Sequence, residues 1–173
     1  MKIAIVDSSY GGSCFPKDTE ALYHFASTCG YEFKLLKGGI TANKRQRELM
    51  VEKIKHHLGS NLNGKTIGIL GLAFKQNTDD IRKSPSIYII KLLLKEGANI
   101  KCFDPLAMDN TKKILPNLTY CQDEYETSAG SDALVIATEW NQFRNLNLLK
   151  IKKLLKSPIL LDLGNLYGPE KVK

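Results

Sequence analysis

At 173 residues and 43% hydrophobic, the chain has the apolar content for one ordinary domain with a further element attached. Its 25 Lys and Arg against 18 Asp and Glu leave a net charge of +7, which suits anionic partners, either nucleic acid or a phosphorylated small molecule. No apolar run approaches the length of a membrane span, so no membrane partner is expected.

The chain opens with MKIAIV, a strand-like segment whose four-residue apolar run is too short for a signal-peptide core; the cytoplasm is the expected location. YGGSCFPKD (10–18) follows. Gly11 and Gly12 permit close backbone approach, and Pro16 suits the first turn of a helix predicted over 15–28. Cys14 then falls at or just before that helix N-terminus, where the macrodipole and free N–H groups favour a thiolate. Lys17 adds a positive charge, and Asp18 stands four residues after the thiol. The composition fits an activated nucleophile; a small buried cysteine in a tight turn is the other reading. A second helix is predicted over about 35–58, where Leu49, Met50, Ile54 and Leu58 recur at helical spacing. Gly38 and Gly39 weaken its first turn or delay its start.

Beyond the loop at 59–64 the rhythm becomes strand, helix, strand. KTIGILGLAF (65–74) reads as a buried strand, and SPSIYIIKLLLKEG (84–97) as a helix with Ser84 as N-cap, Pro85 at its first position and Gly97 as its stop. Further strands are predicted in 98–105, 118–121, 133–138 and 158–163, with helices near 108–115, 122–129 and 147–156. Apolar strands alternating with helices predict an α/β, Rossmann-like, doubly wound and mainly parallel five-stranded sheet. Ligands in such folds bind beyond the carboxyl ends of strands, here 71–83, 104–107, 137–144 and 162–168.

The first of these loops is the most informative. Gly68 and Gly71 form GxxG, short of the GxGxxG dinucleotide fingerprint. Lys75, Asp79, Asp80, Arg82 and Lys83 follow, and the cations suit a diphosphate near a helix N-terminus. A solvated loop with local salt bridges is the alternative. Cys14, Cys29, Cys102 and Cys121 show no CxxC pair and no metal-ligand spacing with the three histidines, which argues for reduced thiols and no metal. The basic clusters NKRQR (43–47) and KIKK (150–153) lie in predicted helices without interleaved aromatics, so no nucleic-acid partner is expected.

GGSCFPKD (11–18), GLAFKQNTDDIRKSPS (71–86), FDPLA (103–107) and ATEWNQF (137–143) resemble the UDP-glucose 6-dehydrogenase family and, more broadly, the nucleotide-sugar dehydrogenases. NKRQRELMVEKI (43–54) is similar to the helix that leads into that family's last domain, and the resemblance covers residues 10 to about 167. It implies NAD-dependent, two-step oxidation of UDP-glucose to UDP-glucuronate, in the setting of polysaccharide biosynthesis. Cys14 would attack the intermediate aldehyde to give a thiohemiacetal, then a thioester that water cleaves with the help of Asp18. Lys75 would contact the nucleotide sugar, Arg82 would reach the NAD, and Gly11, Gly12 and Phe15 would lie along the sugar-nucleotide site.

The departures from that family set further expectations. A Rossmann NAD domain with GxGxxG and a central helix carrying a catalytic lysine and asparagine are expected and not found in this sequence. Residues 1–9 then read as a remnant of the NAD domain's first strand, joined by an internal deletion to the cysteine loop and central helices (10–60) and a C-terminal UDP-sugar-binding domain (61–173). Residues 162–165 read Asp-Leu-Gly-Asn, where Asp-Gly-Arg-Asn is usual, so Gly164 replaces an arginine. The chain alone is expected to be catalytically incomplete. Its expected partners are UDP-glucose or a related UDP-sugar, with a homo-oligomer or a separate NAD-domain chain. The alternative is a non-catalytic nucleotide-sugar-binding module, or a partner of a separately encoded NAD domain.

Overall fold

Five apolar segments of the second half form parallel strands, as the alternation of strand and helix predicts. In the computed structural model, which describes residues 2–5 and 9–167, they are β2 (Thr66–Leu70), β3 (Asn99–Phe103), β4 (Thr119–Tyr120), β5 (Ala133–Ile136) and β6 (Ile159–Asp162). A sixth strand, β1 (Lys2–Ile5), extends the expected five by pairing in parallel with β6, from Lys2 opposite Ile159 to Ile5 opposite Asp162. The order is β1-β6-β5-β2-β3-β4, with every pairing parallel. Adding to a sheet edge gives the backbone of β1 partners on one side. Val6 of the opening segment and residue 168 of the last predicted loop lie outside the described residues.

Side chains leave a strand on alternating faces, so strands this apolar feed two cores. Ile67 and Ile69 of β2 and Val135 of β5 pack with Met50, Ile54, Ile90 and Leu93 on one face. Leu70, Leu134, Ile136 and Leu160 pack with Phe143 and Ile151 on the other. Because β3 and β4 lie to one side of β2 and β5, β6 and β1 to the other, the order reverses between β2 and β5. In folds of this kind ligands bind at such a switch point, beyond the carboxyl ends of the two strands.

The helices are α1 (Phe15–Thr28), α2 (Lys34–Leu58), α3 (Pro85–Lys95), α4 (Met108–Ile114), α5 (Glu124–Ser128) and α6 (Leu148–Leu154). Pro16 and Pro85 occupy first turns, where no N–H is needed. Gly97, at φ +81°, ends α3 as expected, its amide bonding the Leu94 carbonyl at 3.0 Å. Ser84 takes the N-cap position without capping: its hydroxyl donates instead to the Leu72 carbonyl at 2.8 Å. Nor do Gly38 and Gly39 delay α2, which begins at Lys34 and runs through them. Met50, Val51 and Ile54, buried in the same core as β2 and α3, anchor this helix and outweigh the weak propensity of its first turns. No helix among the described residues is long and apolar enough to cross a membrane.

Candidate active site

Where the chain leaves β2, Gly71 turns at φ +94°, and a methyl there would stand 2.4 Å from Cβ of Thr138. Only glycine fits this approach between the ends of β2 and β5. The next residues are fixed by side chains from three elements. Asp104, 2% exposed at the end of β3, accepts the amides of Leu72 and Ala73 on Oδ2 at 2.7 and 3.1 Å. Its Oδ1 accepts the amides of Leu106 and Ala107 at 2.9 and 2.8 Å, and Trp140 Nε1 adds a fifth donor at 3.2 Å. Thr138 Oγ1 donates to the Ala73 carbonyl at 2.7 Å, and Ser86 Oγ to the Gly71 carbonyl at 2.6 Å. Five donors repay the burial of one carboxylate.

The segment beyond is held in unusual backbone geometry. Asn77 and Lys83 have φ of +59° and +49°, a region that residues with side chains seldom adopt. Gln76 Oε1 is buried without a hydrogen-bond partner. Such features concentrate where a loop is shaped for something besides stability. Asp80 accepts three bonds from the Arg82 side chain: Nε donates to Oδ1 at 3.0 Å and to Oδ2 at 3.1 Å, and Nη2 donates to Oδ2 at 2.7 Å. These bonds are the main cause holding the Asp80 carboxyl below the usual carboxylate range, and they raise the Arg82 guanidinium.

Against this loop lies the cysteine segment. Gly12, at φ +88°, donates its amide to the Arg82 carbonyl at 3.1 Å, and a Cβ on it would meet the Phe74 ring at 2.7 Å. A Cβ on Gly11 would meet the Lys83 carbonyl oxygen at 2.6 Å and Pro85 at 2.7 Å. The glycine pair thus lets two loops touch backbone to backbone. Cys14 sits exposed at the N-cap position of α1, as expected, with Ser13 Oγ 3.7 Å from its sulfur. Arg82, its side chain 70% exposed, is within electrostatic reach of Cys14. Lys17 Nζ pairs with Asp18 at 3.4 Å in solvent. Phe15 is 58% exposed and stacks edge-on against Tyr10 at 4.7 Å. Lys75 Nζ lies 5.3 Å above the Phe74 ring, the same ring that Gly12 packs on.

The seven residues expected from sequence therefore fall on two abutting segments. Gly11, Gly12, Cys14, Phe15 and Asp18 occupy the first, and Lys75 and Arg82 the second. The reading of the 71–83 loop as one with local salt bridges holds for Arg82, which pairs with Asp80, whereas Lys83 pairs with Glu20 of α1. Asp104, Thr138 and Ser86 were not singled out by sequence reasoning, although each lies in one of the stretches 71–86, 103–107 and 137–143 that carry the resemblance. The sheet's own glycines do not form a nucleotide cradle. A Cβ on Gly68 would meet the Thr127 carbonyl at 2.8 Å, and Gly71 is closed by Thr138, so both are used in packing. The described residues do not fit a dinucleotide by themselves. At the end of β6, the buried Asp162 accepts the amides of Gly164 at 3.1 Å and Tyr167 at 2.8 Å, and position 164 carries no side chain.

Family models match most of the chain. Residues 68–169 match the UDP-binding domain of the UDP-glucose/GDP-mannose dehydrogenase family, and residues 2–45 match its central domain. The chain is 42% identical over 165 residues to a UDP-glucose 6-dehydrogenase of Bacillus subtilis, covering 95% of itself and 36% of that protein. It is 41% identical over 163 residues to one of Rhizobium meliloti, covering 94% of itself and 37% of the relative. A UDP-glucose dehydrogenase structure from Pyrobaculum islandicum superposes with a TM-score of 0.80 at 34% identity, over 88% of this chain and 34% of that one. A GDP-mannose dehydrogenase structure from Pseudomonas aeruginosa gives 0.78 at 28% identity, over 93% and 37%. The chain spans little more than a third of the length of these proteins.

Proposed function

The chain belongs to the UDP-glucose/GDP-mannose dehydrogenase family, and from that premise we propose that it holds the UDP sugar and supplies the covalent nucleophile of a UDP-glucose 6-dehydrogenase. The observation that carries this reading is the seating of the cysteine segment on the β2–α3 loop. Gly12 contacts both the Arg82 carbonyl and Phe74, so Cys14 is fixed relative to Lys75 before any ligand arrives.

In this reading Lys75 neutralises the nucleotide sugar's diphosphate, and Phe15, Gly11 and Gly12 line the sugar. The Cys14 thiolate attacks the C6 aldehyde carbon; a carbon–sulfur bond forms, and the carbonyl oxygen takes up a proton to complete the thiohemiacetal. After oxidation to the thioester, Asp18 accepts a proton from the attacking water, the carbon–sulfur bond breaks, and the thiolate is regenerated with a carboxylate product. The two oxidations require NAD as hydride acceptor. The described residues form no dinucleotide site, so those steps are not assigned to them; Arg82 is the cation of this chain that would reach toward a cofactor held by other residues.

A binding module without turnover, or a partner for a separate NAD domain, is the second reading. It is favoured by Gly164, which leaves the end of β6 without the arginine usual in the family. Calorimetric titration with UDP-glucose tests the common core of both readings. Saturable binding that Lys75→Gln weakens is expected, and absence of binding to the intact chain overturns them.

A further inference from the structure

A cleft of about 600 Å³ lies between α1, α2 and α3, and none of Cys14, Asp18 and Lys75 lines it. Its volume falls within the range of small-molecule sites. Five cations line it, Lys44, Arg47, Arg82, Lys83 and Lys91, against one carboxylate, Glu20. Glu20 is engaged by Lys83, and Arg82 by Asp80. Among the described residues, Lys44, Arg47 and Lys91 then face the cleft with no carboxylate bonded to them.

Arg47 is the informative member. Its Nε donates to Ser9 Oγ at 2.9 Å and its Nη2 to the Tyr10 carbonyl at 3.1 Å, while the guanidinium lies 5.2 Å from the Tyr88 ring centroid. The fork is thus oriented by neutral groups and an aromatic face. It is half-buried, and burial lowers its proton affinity. A partly desolvated cation without an ion-pair partner is costly unless an anion joins it. The N-terminus of the eleven-residue α3 opens on the same space through Ser84, Ile87 and Tyr88, adding partial positive charge. Ile40 and Ile81 supply an apolar wall.

We propose that this cleft, which adjoins the Cys14 segment through Tyr10 and Pro16 but is lined by neither Cys14 nor Lys75, is a second anion site that takes a diphosphate-bearing small molecule. Two phosphoryl groups match the spread of cations over α2 and α3, and the isoleucines and Tyr88 accommodate an apolar or aromatic appendage.

The test is calorimetric titration of the chain with inorganic pyrophosphate. Lys44 and Lys91 are exposed and bond no described residue, so the double variant Lys44→Gln/Lys91→Gln should keep its fold. Saturable binding is expected, weakened about tenfold or more in the double variant, reduced by salt, and unchanged in Lys75→Gln. Lack of saturable binding, or equal affinity in the double variant, overturns the proposal. So does parallel loss in Lys75→Gln, which would place the anion beside Cys14. UDP-glucose serves as the second probe: its loss in Lys75→Gln with pyrophosphate retained keeps the two sites apart, and its failure to bind leaves the pyrophosphate result to stand or fall alone.

Discussion

The Gly12 amide bonds the Arg82 carbonyl at 3.1 Å while its Cα faces the Phe74 ring so closely that a methyl would come within 2.7 Å of it. One residue thereby joins the segment that carries Cys14 to the loop that carries Lys75. This junction depends on the absence of a side chain and on a φ of +88°.

Gly12→Ala should destabilise the protein by about 1–3 kcal/mol, because both the backbone strain and the ring contact must be relieved. Gly38→Ala should do the opposite, stabilising by about 0.5–1 kcal/mol, since a Cβ in mid-helix there meets nothing within 4 Å. Urea unfolding of the two variants beside the parent measures both. Equal effects would remove the special standing of Gly12.

Asp104→Ala should be far more damaging. It strips five donors of their acceptor, four of them backbone amides. Each buried donor left unpaired costs about 1–3 kcal/mol, offset in part by relaxation and water. A loss of about 3 kcal/mol or more is expected in urea unfolding. A loss below 1 kcal/mol would mean that the loop does not depend on this carboxylate.

Much of this arrangement was legible in the sequence, and the rest was not, for a physical reason. Pro16, Pro85 and Gly97 mark helix ends through local backbone geometry, so α1 and α3 were placed within a residue or so of their bounds. The strands announced themselves by apolar runs, although the run at 65–74 overshoots β2, which stops at Leu70 because Gly71 turns the chain. The Asp104 hub joins residues 32 and 36 positions away, and no local pattern reveals which polar residue will be buried. Likewise Ser84 looked like a cap, but its hydroxyl was claimed by Leu72 across the loop. The meeting of Arg47 with Tyr88 is also a product of tertiary packing.

The thiols should separate by reactivity. Cys102 is fully buried in β3, and burial pushes its thiol up to about 12 from an ordinary 9.0. Cys14 is exposed at a helix start. A thiol reagent near neutral pH should label Cys14 in the folded protein while sparing Cys102, with mass spectrometry of the digested product as the readout. Equal labelling would remove the case for an accessible nucleophile at Cys14.

The same raised group sets an alkaline limit. Cys102 is protonated in the folded state up to about 12 but ionises near 9.0 when unfolded. Above the unfolded value the folded chain therefore holds more protons, and stability must fall as pH rises. The loss should run between pH 9 and about 12, with a slope of at most roughly 1.4 kcal/mol per unit from this thiol. Tyr167, raised to about 12 chiefly by burial, adds to it above pH 10. Cys102→Ala should flatten the decline measured by urea unfolding across that window; an unchanged slope would show that the thiol is not its source.

The final expectation is that this chain binds UDP-glucose without oxidising it. Hydride transfer needs a nicotinamide held against the sugar carbon, and positioning supplies a large part of the barrier reduction. Gly68 and Gly71, which might have formed a phosphate cradle at the end of β2, are closed by Thr127 and Thr138. Arg82 is one exposed cation already shared with Asp80, and it cannot orient a dinucleotide alone. Cys14 can bond to an aldehyde only after a first oxidation has made one. Purified chain with UDP-glucose and NAD should therefore give no NADH above background. Addition of a separately produced family fragment that carries both the NAD-binding domain and the central helix should restore turnover, and Cys14→Ser should then abolish formation of the carboxylate while leaving UDP-glucose affinity within about twofold, because the thiol acts on the aldehyde after binding. Steady NADH production by the chain alone, lost in Cys14→Ser, would show that the residues described here suffice and that the assignment of the oxidations elsewhere is wrong.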